Sequence, residues 1–337
     1  MIILKELTKK FDNFTAVDNI SLTIQENEVF GLLGQNGAGK TTTIHMLATL
    51  LKPTSGTATI NDYDIVKHPS KVRDNIGIVF QAPSSDDMLT GYENLKIYSY
   101  LYNISNKDRE KRILELLELV GLSERKNDLV KKYSGGMRRR LEIARGLIHR
   151  PKVIFLDEPT LGLDPNSRKL MWKYIQELVR EEKITVILTT HYMEEADLLC
   201  DRIGFINRGK IIAIDTPSKL KSMINRKVGG DIVKLTFKNA DRDNANIKVD
   251  GDNSNNFILK TIKGFDFVHD FRLDNNLLTL TVKNARFNLP ILLKVLDNVE
   301  SVEFSETTLN DVFYKFTNEN INEQPEGGFM ERYAQYD

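Results

Sequence analysis

Residues 34–41 have a composition and spacing suited to holding phosphate groups. They read Gly34-Gln35-Asn36-Gly37-Ala38-Gly39-Lys40-Thr41, and Thr42 follows. Glycines let backbone N–H groups turn inward around phosphate oxygens, and a helix that begins after such a loop adds the positive end of its dipole. Lys40 would contact the β- and γ-phosphates, and the Thr41 hydroxyl would bind Mg²⁺. The spacing predicts a nucleotide-binding loop; a glycine-rich turn without a ligand is the alternative.

Two acidic residues, Asp157 and Glu158, come directly after the apolar run 153–156. Residues at the carboxyl ends of buried parallel strands line the crevice in which open sheets bind ligands. Asp157 would hold Mg²⁺ through water there, and Glu158 would orient and polarise an attacking water molecule. A strand that ends in solvated acids is the alternative. Together with the loop at 34–41, the pair predicts a nucleoside triphosphatase.

The elements that must position these residues alternate between strand and helix along residues 1–223. Apolar runs predict buried strands, and amphipathic stretches between them predict helices. The predicted strands are 28–33, 76–80, 153–156 and 185–188, and the predicted helices are 39–51, 109–122, 136–149 and 165–182. This alternation predicts an α/β fold with a mostly parallel sheet. Residues 88–149 hold several helical stretches without a clear strand, which predicts a helical insert.

The sequence changes character near residue 226, just before the glycine pair Gly229-Gly230. We therefore expect a first domain over residues 1–225 and a small α+β domain over 226–317. In the second domain we predict strands at 231–237, 257–261, 267–273, 277–282 and 299–304, helices at 287–297 and 307–317, and a polar loop at 239–256. Residues 318–337 are expected to form a loosely held acidic tail.

Composition and charge exclude several classes of protein. The 337 residues include 47 basic and 47 acidic side chains, so the formal net charge is zero. Proteins that coat nucleic acid carry a surplus of Lys and Arg, and we therefore expect no nucleic-acid partner. The single cysteine, Cys200, excludes an internal disulfide framework and a Cys-based zinc site. We find no signal peptide and no apolar run long enough to span a bilayer, so any membrane role should come through a partner.

Five further segments occur in the order seen in ATP-binding-cassette (ABC) ATPases. They are Phe11, Gln81 after the strand 76–80, Ser134-Gly135-Gly136, Gly162-Leu163-Asp164-Pro165, and His191 after Leu188-Thr189-Thr190. They resemble, in that order, the adenine-stacking ring, the Q-loop, the signature, the D-loop and the switch histidine of the family. The resemblance covers residues 1 to about 223 and implies an ABC cassette, in which an antiparallel β part accompanies the parallel sheet.

The resemblance implies roles for these residues around ATP and Mg²⁺. Gln81 and His191 would be catalytic residues beside Glu158, and Gln81 would also lie at the metal. Phe11 would stack on adenine, although Phe14 is close enough in sequence to compete.

The resemblance also implies that the working unit contains two copies of the chain. The signature residues Ser134, Gly135 and Gly136 would form a second anion site at a helix start, and with Asp164 they would bind nucleotide. In the family this site docks against the phosphate-binding loop of a second subunit. The chain has one loop and one signature, so we expect a head-to-tail dimer.

One subgroup fits best, the daunorubicin-resistance-type export ATPases. The runs 133–147, 160–165 and 308–313 resemble it. The signature departs from the usual Leu-Ser-Gly-Gly-Gln at Met137, whose thioether is only a weak hydrogen-bond acceptor. We interpret the neighbouring run Arg138-Arg139-Arg140 as a solvated helix face.

The subgroup implies the ATPase subunit of an exporter that works with a separate membrane permease on a drug-like or lipid-like compound. The permease would seat in a groove near Gln81 that residues 86–94 border. The protein would then be cytoplasmic and peripheral on the inner face of the cell membrane.

Two other functions remain as alternatives at this point. A soluble ABC ATPase acting on ribosomes or DNA usually carries two cassettes or long coiled-coil insertions, and this sequence has neither pattern. A regulatory ATP-binding switch would lack catalytic groups, whereas Glu158 and His191 are both present.

Overall fold

The structure is a computed structural model that describes residues 1–228, 231–237, 262, 264–274, 276–283, 285–296, 299–305 and 308–321. The described residues fall into two compact units, residues 1–217 with 316–321, and residues 218–315. Among the helices in these ranges, none is long and apolar enough to cross a membrane.

Residues 1–217 of the first unit contain two sheets, seven complete α-helices and the first residue of an eighth. The strands are β1 (Ile2–Phe11), β2 (Phe14–Ile24), β3 (Val29–Leu33), β4 (Ser55–Ile60), β5 (Tyr63–Asp64), β6 (Ile76–Val79), β7 (Val153–Asp157), β8 (Thr185–Thr190), β9 (Arg202–Asn207) and β10 (Lys210–Asp215). The helices are α1 (Lys40–Leu47), α2 (Pro69–Asn75), α3 (Gly91–Leu101), α4 (Asn106–Leu119), α5 (Gly135–Gly146), α6 (Pro165–Glu182), α7 (Met193–Leu199) and α8 (Pro217–Val228), the last of which continues into the second unit.

The larger sheet positions the predicted site. Its six strands lie in the order β10-β9-β3-β8-β7-β6, with β10 antiparallel and the others parallel. Every residue of β3, β7 and β8 is buried, as expected for parallel strands covered on both faces. Leu33 pairs with Thr190, and Asp157 pairs with Thr189, so the carboxyl ends of three strands meet at one edge. The residues that follow these strands therefore converge there.

The smaller sheet is antiparallel, in the order β2-β1-β4-β5. It shares a hydrophobic core with the parallel sheet, in which Ile2, Ile20 and Ile60 pack with Phe30 and Phe155. The α/β cassette with a parallel core and an antiparallel part is thus confirmed.

A helical insert separates β6 from β7, as predicted. It contains α3, α4 and α5 and no strand. Helix α3 begins with a capping box in which Thr90 and Glu93 satisfy each other's backbone N–H groups. On α4, the apolar face predicted from helical spacing is buried at Ile113, Leu116 and Leu117.

The second unit is an α+β domain. It contains β11 (Asp231–Phe237), β12 (Val268–Asp274), β13 (Leu277–Val282), helix α9 (Ala285–Val295), β14 (Val299–Ser305) and helix α10 (Leu309–Ile321), whose end belongs to the first unit. The strands form one antiparallel sheet in the order β12-β13-β11-β14, and α9 buries Leu289 and Leu292 in its core. The predicted strand 257–261, the predicted loop 239–256 and residues 322–337 of the predicted tail lie outside the described residues. Helix α10 reaches Ile321 and therefore includes the first residues assigned to that tail.

Candidate active site

The turn from β3 into α1 has a backbone that requires glycine. Gly39, directly before α1, has a φ of 110°, in the region that L side chains rarely adopt. A Cβ atom at this position would lie 2.5 Å from the Ala16 carbonyl oxygen. The close approach explains why the sequence has glycine there, and it leaves the N-terminus of α1 directed at the loop.

Lys40 is buried inside this loop, with only 5% of its surface exposed. Its Nζ donates to the carbonyl oxygens of Gly34, at 2.8 Å, and Gln35, at 3.1 Å. The Glu158 carboxylate lies 3.9 Å away. Burial lowers the pKa of Lys40, and the charges of Glu158 and Asp157 oppose that shift. An anion in the loop would therefore meet a cation that little water screens.

Thr41 and Asp157 form the adjacent oxygen cluster. The Thr41 hydroxyl donates to Asp157 Oδ2 at 3.1 Å, and the Thr189 hydroxyl donates to Asp157 Oδ1. Asp157 is 3% exposed at the end of β7. A hydroxyl and a carboxylate side by side are hard oxygen ligands of the kind that Mg²⁺ prefers, and substrate phosphates and water usually complete its octahedron. The residues present thus fit the predicted metal.

Glu158 lies between the lysine and the histidine. Its backbone N–H is 3.1 Å from both the carbonyl oxygen and the hydroxyl of Thr189, and its φ of 47° turns the chain away from β7. His191 Nδ1 lies 3.3 Å from Glu158 Oε1, the same oxygen that lies near Lys40 Nζ. One carboxylate therefore faces both the Lys40 amine and the His191 imidazole, an arrangement able to hold and polarise a water molecule.

Gln81 follows β6 and is exposed at the same edge of the sheet. Because Val79 pairs with Leu156, Gln81 comes just past the strand end that neighbours Asp157. The structure brings Gln81 to the predicted edge of the sheet.

The signature residues lie at the start of α5. Ser134 is the N-cap, and its Oγ accepts a hydrogen bond from the Met137 N–H at 3.3 Å. A Cβ on Gly136 would lie 2.8 Å from Ser167 Oγ and 3.0 Å from Ser167 Cβ, so packing against α6 favours a small residue here. Within the described chain, Ser134 therefore contacts the first turn of α5, and Gly136 packs against α6.

Asp164 has a structural role in the described chain. It caps α6, and its Oδ1 accepts from the N–H groups of Asn166 and Ser167, each at 3.0 Å. Hydrogen bonds from Ser167 lower the pKa of Asp164. Its nucleotide contact stays a prediction.

Phe11 and Phe14 face each other across the turn between β1 and β2. Phe11 is 44% exposed, with Lys9 Nζ 5.0 Å above its ring, and Phe14 is 57% exposed. Both rings are accessible for stacking, so the geometry leaves the two candidates open.

Comparison with known proteins decides the family. The ABC transporter family profile matches residues 17–161. The chain is 43% identical to the linearmycin resistance ATP-binding protein LnrL of Bacillus subtilis over 70% of this chain and 75% of that protein. It is 44% identical to the daunorubicin/doxorubicin resistance ATP-binding protein DrrA of Streptomyces peucetius, over 69% of each chain. The chain belongs to the ABC transporter family.

Solved structures of ABC cassettes agree with this assignment. A dimeric, post-hydrolysis structure of the ATP-binding cassette MJ0796 bound to ADP and Pi has a TM-score of 0.58 and 30% identity, covering 64% of this chain and 98% of that one. The cbiO1 protein of Clostridium perfringens, part of the complex cbiONQ, has a TM-score of 0.62 and 29% identity, covering 68% and 95%. The predicted family and drug-resistance subgroup are confirmed, and the protein is an ATPase that binds ATP.

Two further residues of this ABC ATPase contact the site and were not predicted from the sequence. Thr189 holds Asp157 through its hydroxyl, and only the pairing of β7 with β8 reveals it. Arg139 is 6% exposed, so the interpretation of the arginine run as a solvated face is wrong for this residue. Its spacing from Gly136 and Ile143, both buried, places it on the inner face of α5 and could have indicated this.

Proposed function

We propose that this ABC ATPase powers the export of a drug-like or lipid-like compound through a separate membrane permease. The observation that carries the proposal is the convergence of Lys40, Thr41, Asp157, Glu158 and His191 at one edge of the parallel sheet. The names of the similar proteins, which concern resistance to linearmycin and to daunorubicin or doxorubicin, support export of such a compound. They do not favour the ribosome or DNA alternative.

Within this proposal each residue of the site has a distinct task. Residues 34–42 surround the phosphates, and Lys40 binds the β- and γ-phosphates. Thr41 and Asp157 hold Mg²⁺, with Gln81 beside them. When bound, Mg²⁺ neutralises charge that develops on the phosphate oxygens. Glu158 orients the attacking water, and His191 contacts the γ-phosphate and that water.

We further propose that two copies form a head-to-tail dimer. Ser134, Gly135, Gly136 and Asp164 of one copy would then bind the nucleotide held by the loop of the other. The exposed start of α5 supports this arrangement. A similar cassette, MJ0796, has been solved as a dimer.

The permease would seat beside residues 86–94, at the inner face of the cell membrane. Exposed apolar side chains on this segment and at the end of α3, which begins within it, support the proposal; Met88 is 67% exposed, Leu101 68% and Tyr100 53%. A phenylalanine at the β1–β2 turn, Phe11 or Phe14, would stack on adenine. We assign the ATPase to residues 1–225, and residues 226–317 would be an accessory domain.

The Glu158→Gln variant tests the ATPase part of this proposal. The amide keeps the shape of the side chain but removes its basic carboxylate, so turnover should fall by at least about 100-fold while ATP affinity persists. Glu194→Gln, an exposed carboxylate on α7, is the matched control and should hydrolyse ATP like the wild type. Lys40→Ala should instead weaken ATP binding. Turnover in Glu158→Gln equal to that of the control would reject the assigned role.

Two further experiments test the proposed partners, a second copy of the chain and a membrane permease. In ATP, Glu158→Gln should elute from a sizing column as a dimer, whereas Lys40→Ala should not. Co-expressed with a candidate permease, the tagged chain should co-purify with it from membranes. Failure to dimerise would contradict the head-to-tail arrangement, and failure to co-purify with any permease encoded beside it would contradict the exporter.

A further inference from the structure

Helix α5 carries two buried charged residues whose contacts reach beyond the helix. Arg139 is 6% exposed and Glu142 is 5% exposed, and they lie one turn apart on the same face. Charges buried to this extent persist only where partners compensate the loss of hydration. The hydrogen-bond partners of Arg139 and Glu142 therefore identify the chain segments that these two residues position.

Arg139 joins two chain segments that carry site residues. Its Nη2 donates to the Asp157 carbonyl oxygen at 2.6 Å, and its Nε donates to the Pro159 carbonyl oxygen at 3.0 Å. Its Nη1 donates to the Phe80 carbonyl oxygen and lies 3.5 Å from that of Gln81. The guanidinium thus binds the backbone on both sides of Glu158 and the backbone that leads into Gln81.

Glu142 holds the other end of the segment that contains Gln81. Its Oε1 accepts from the N–H groups of Ser84, at 3.0 Å, and Ser85, at 2.7 Å, and its Oε2 accepts from the Ser84 hydroxyl at 3.0 Å. Arg145, on the same helix, donates to both carboxylate oxygens at 2.7 Å and also to the Tyr98 hydroxyl on α3. A fully hydrogen-bonded carboxylate of this kind fixes its partners tightly.

Residues 80–85 are therefore hydrogen-bonded to α5 at both ends, through Arg139 and Glu142. The N-cap of α5 is the signature residue Ser134. We propose that Arg139 and Glu142 are positioning residues that fix Gln81 relative to Glu158 and to the start of α5 during ATP hydrolysis. The inference rests on the proposed roles of Gln81 and Glu158. Neither residue touches the reacting atoms; each acts through the backbone that it binds.

The neighbouring Arg140 provides a matched control. It also donates to backbone carbonyl oxygens, those of Val120 at 2.7 Å and Gly121 at 3.2 Å, and it lies 3.3 Å from the Tyr174 hydroxyl. These partners bind α5 to the end of α4 and to α6, away from residues 80–85 and 157–159. Arg139→Lys and Arg140→Lys thus remove the same fork geometry, but only the first affects the site.

The first experiment compares these variants of the full chain in ATPase kinetics and thermal unfolding. A lysine keeps the charge but cannot reach the three carbonyl groups at once, so Arg139→Lys should lower kcat by about tenfold or more. Its KM for ATP should stay within about twofold, because the phosphate loop is unchanged. Arg140→Lys should keep kcat within about twofold of the wild type. A kcat for Arg139→Lys equal to that for Arg140→Lys would overturn the proposal.

A double-mutant cycle with Gln81→Ala separates positioning from general stabilisation. If Arg139 acts in part through Gln81, the double variant should lose at least about threefold less kcat than the product of the single losses. Losses that multiply fully would overturn the proposal. Turnover that persists in Glu158→Gln would contradict the proposed catalytic roles instead, so the two failures are distinguishable.

Glu142→Gln keeps the proposal falsifiable if Arg139→Lys does not fold. The amide loses the charge that Ser84, Ser85 and Arg145 share, so amide hydrogen exchange at residues 84–85 should accelerate and kcat should fall by about tenfold. Faster exchange with an unchanged kcat would overturn the proposal, because the segment would then be free without consequence for hydrolysis.

Discussion

Two glycines in the loop 34–39, between β3 and α1, differ in what an added methyl group would meet. Gly39 has a φ of 110°, and a Cβ there would lie 2.5 Å from the Ala16 carbonyl oxygen and 3.2 Å from Ile206 Cδ1. Gly37 has a φ of 79°, and a Cβ there would have no neighbouring atom within 4 Å. The variants Gly39→Ala and Gly37→Ala therefore apply the same chemical change to an occupied and an open position.

The expected cost follows from these two environments. An L side chain in a left-handed conformation costs about 1–2 kcal/mol, and this is the whole cost at Gly37. At Gly39 the methyl group also forces backbone atoms apart, which adds about 1–3 kcal/mol of overpacking. The restriction of the unfolded chain is the same for both Gly→Ala changes, so it cancels in the comparison. Gly39→Ala should therefore be less stable than Gly37→Ala by about 1–3 kcal/mol.

Urea unfolding of the two variants without nucleotide measures this difference directly. ATP titration then tests its functional consequence: a loop displaced at Gly39 should bind ATP more weakly than the loop of Gly37→Ala, by a factor of ten for each ~1.4 kcal/mol of lost binding free energy. Equal unfolding free energies for Gly39→Ala and Gly37→Ala would refute the reasoning, because they would show that the contact with Ala16 does not constrain the loop.

Two buried groups outside the reaction give further predictions. Glu195 is fully buried and accepts a hydrogen bond from Trp172 Nε1 at 3.1 Å, and burial raises its pKa above the ordinary 4.5. The stability contributed by the protonated Glu195 carboxyl is fully present below its ordinary pKa of 4.5 and is lost as the pH rises through the higher folded-state pKa. Glu195→Gln lacks this titration, so its free energy of unfolding in urea should rise relative to that of the wild type between these two pKa values. A difference between the two proteins that does not depend on pH would contradict this prediction. Burial also raises the pKa of the Cys200 thiol well above its ordinary value, so a thiol reagent should label the native chain at least about 100-fold more slowly than the urea-unfolded chain, and comparable rates would contradict the burial.

Local chemistry made some elements predictable from sequence. The helix predicted at 165–182 is observed with the same bounds, because Asp164 supplies the cap and Pro165 stands at the first helical position. The buried strands β3, β6, β7 and β8 were predicted from short apolar runs, whereas β9, which pairs in parallel with β3, was not. By contrast, β1 and β2 were not predicted individually, since charged residues such as Lys5 and Glu6 interrupt their apolar residues and register shifts break the alternation.

The site residues likewise divide into those that the sequence predicted and those that only the structure revealed. Lys40 was predicted from the glycine spacing of residues 34–41, Asp157 and Glu158 from their place at the end of an apolar run, and His191 from the family resemblance. The structure brings these side chains together. The partners of Arg139 could not be predicted from the sequence, because they are backbone carbonyl oxygens and every residue has one. Helical spacing from Gly136 and Ile143 is the one sequence signal that distinguishes Arg139 from the more exposed Arg138 and Arg140 beside it.

The net charge of zero is compatible with binding a polyanion because the attraction is local. Lys40 is buried among carbonyl oxygens, where its interaction with an anion exceeds what the same charge offers on a hydrated surface. The N-terminus of α1 adds partial positive charge without any ionisable side chain. The carboxylates of Asp157 and Glu158 lie beside this lysine and favour its charged form. A net charge of zero therefore argues against binding by long-range attraction to the whole protein. It does not report on a local site built from one buried lysine and backbone dipoles.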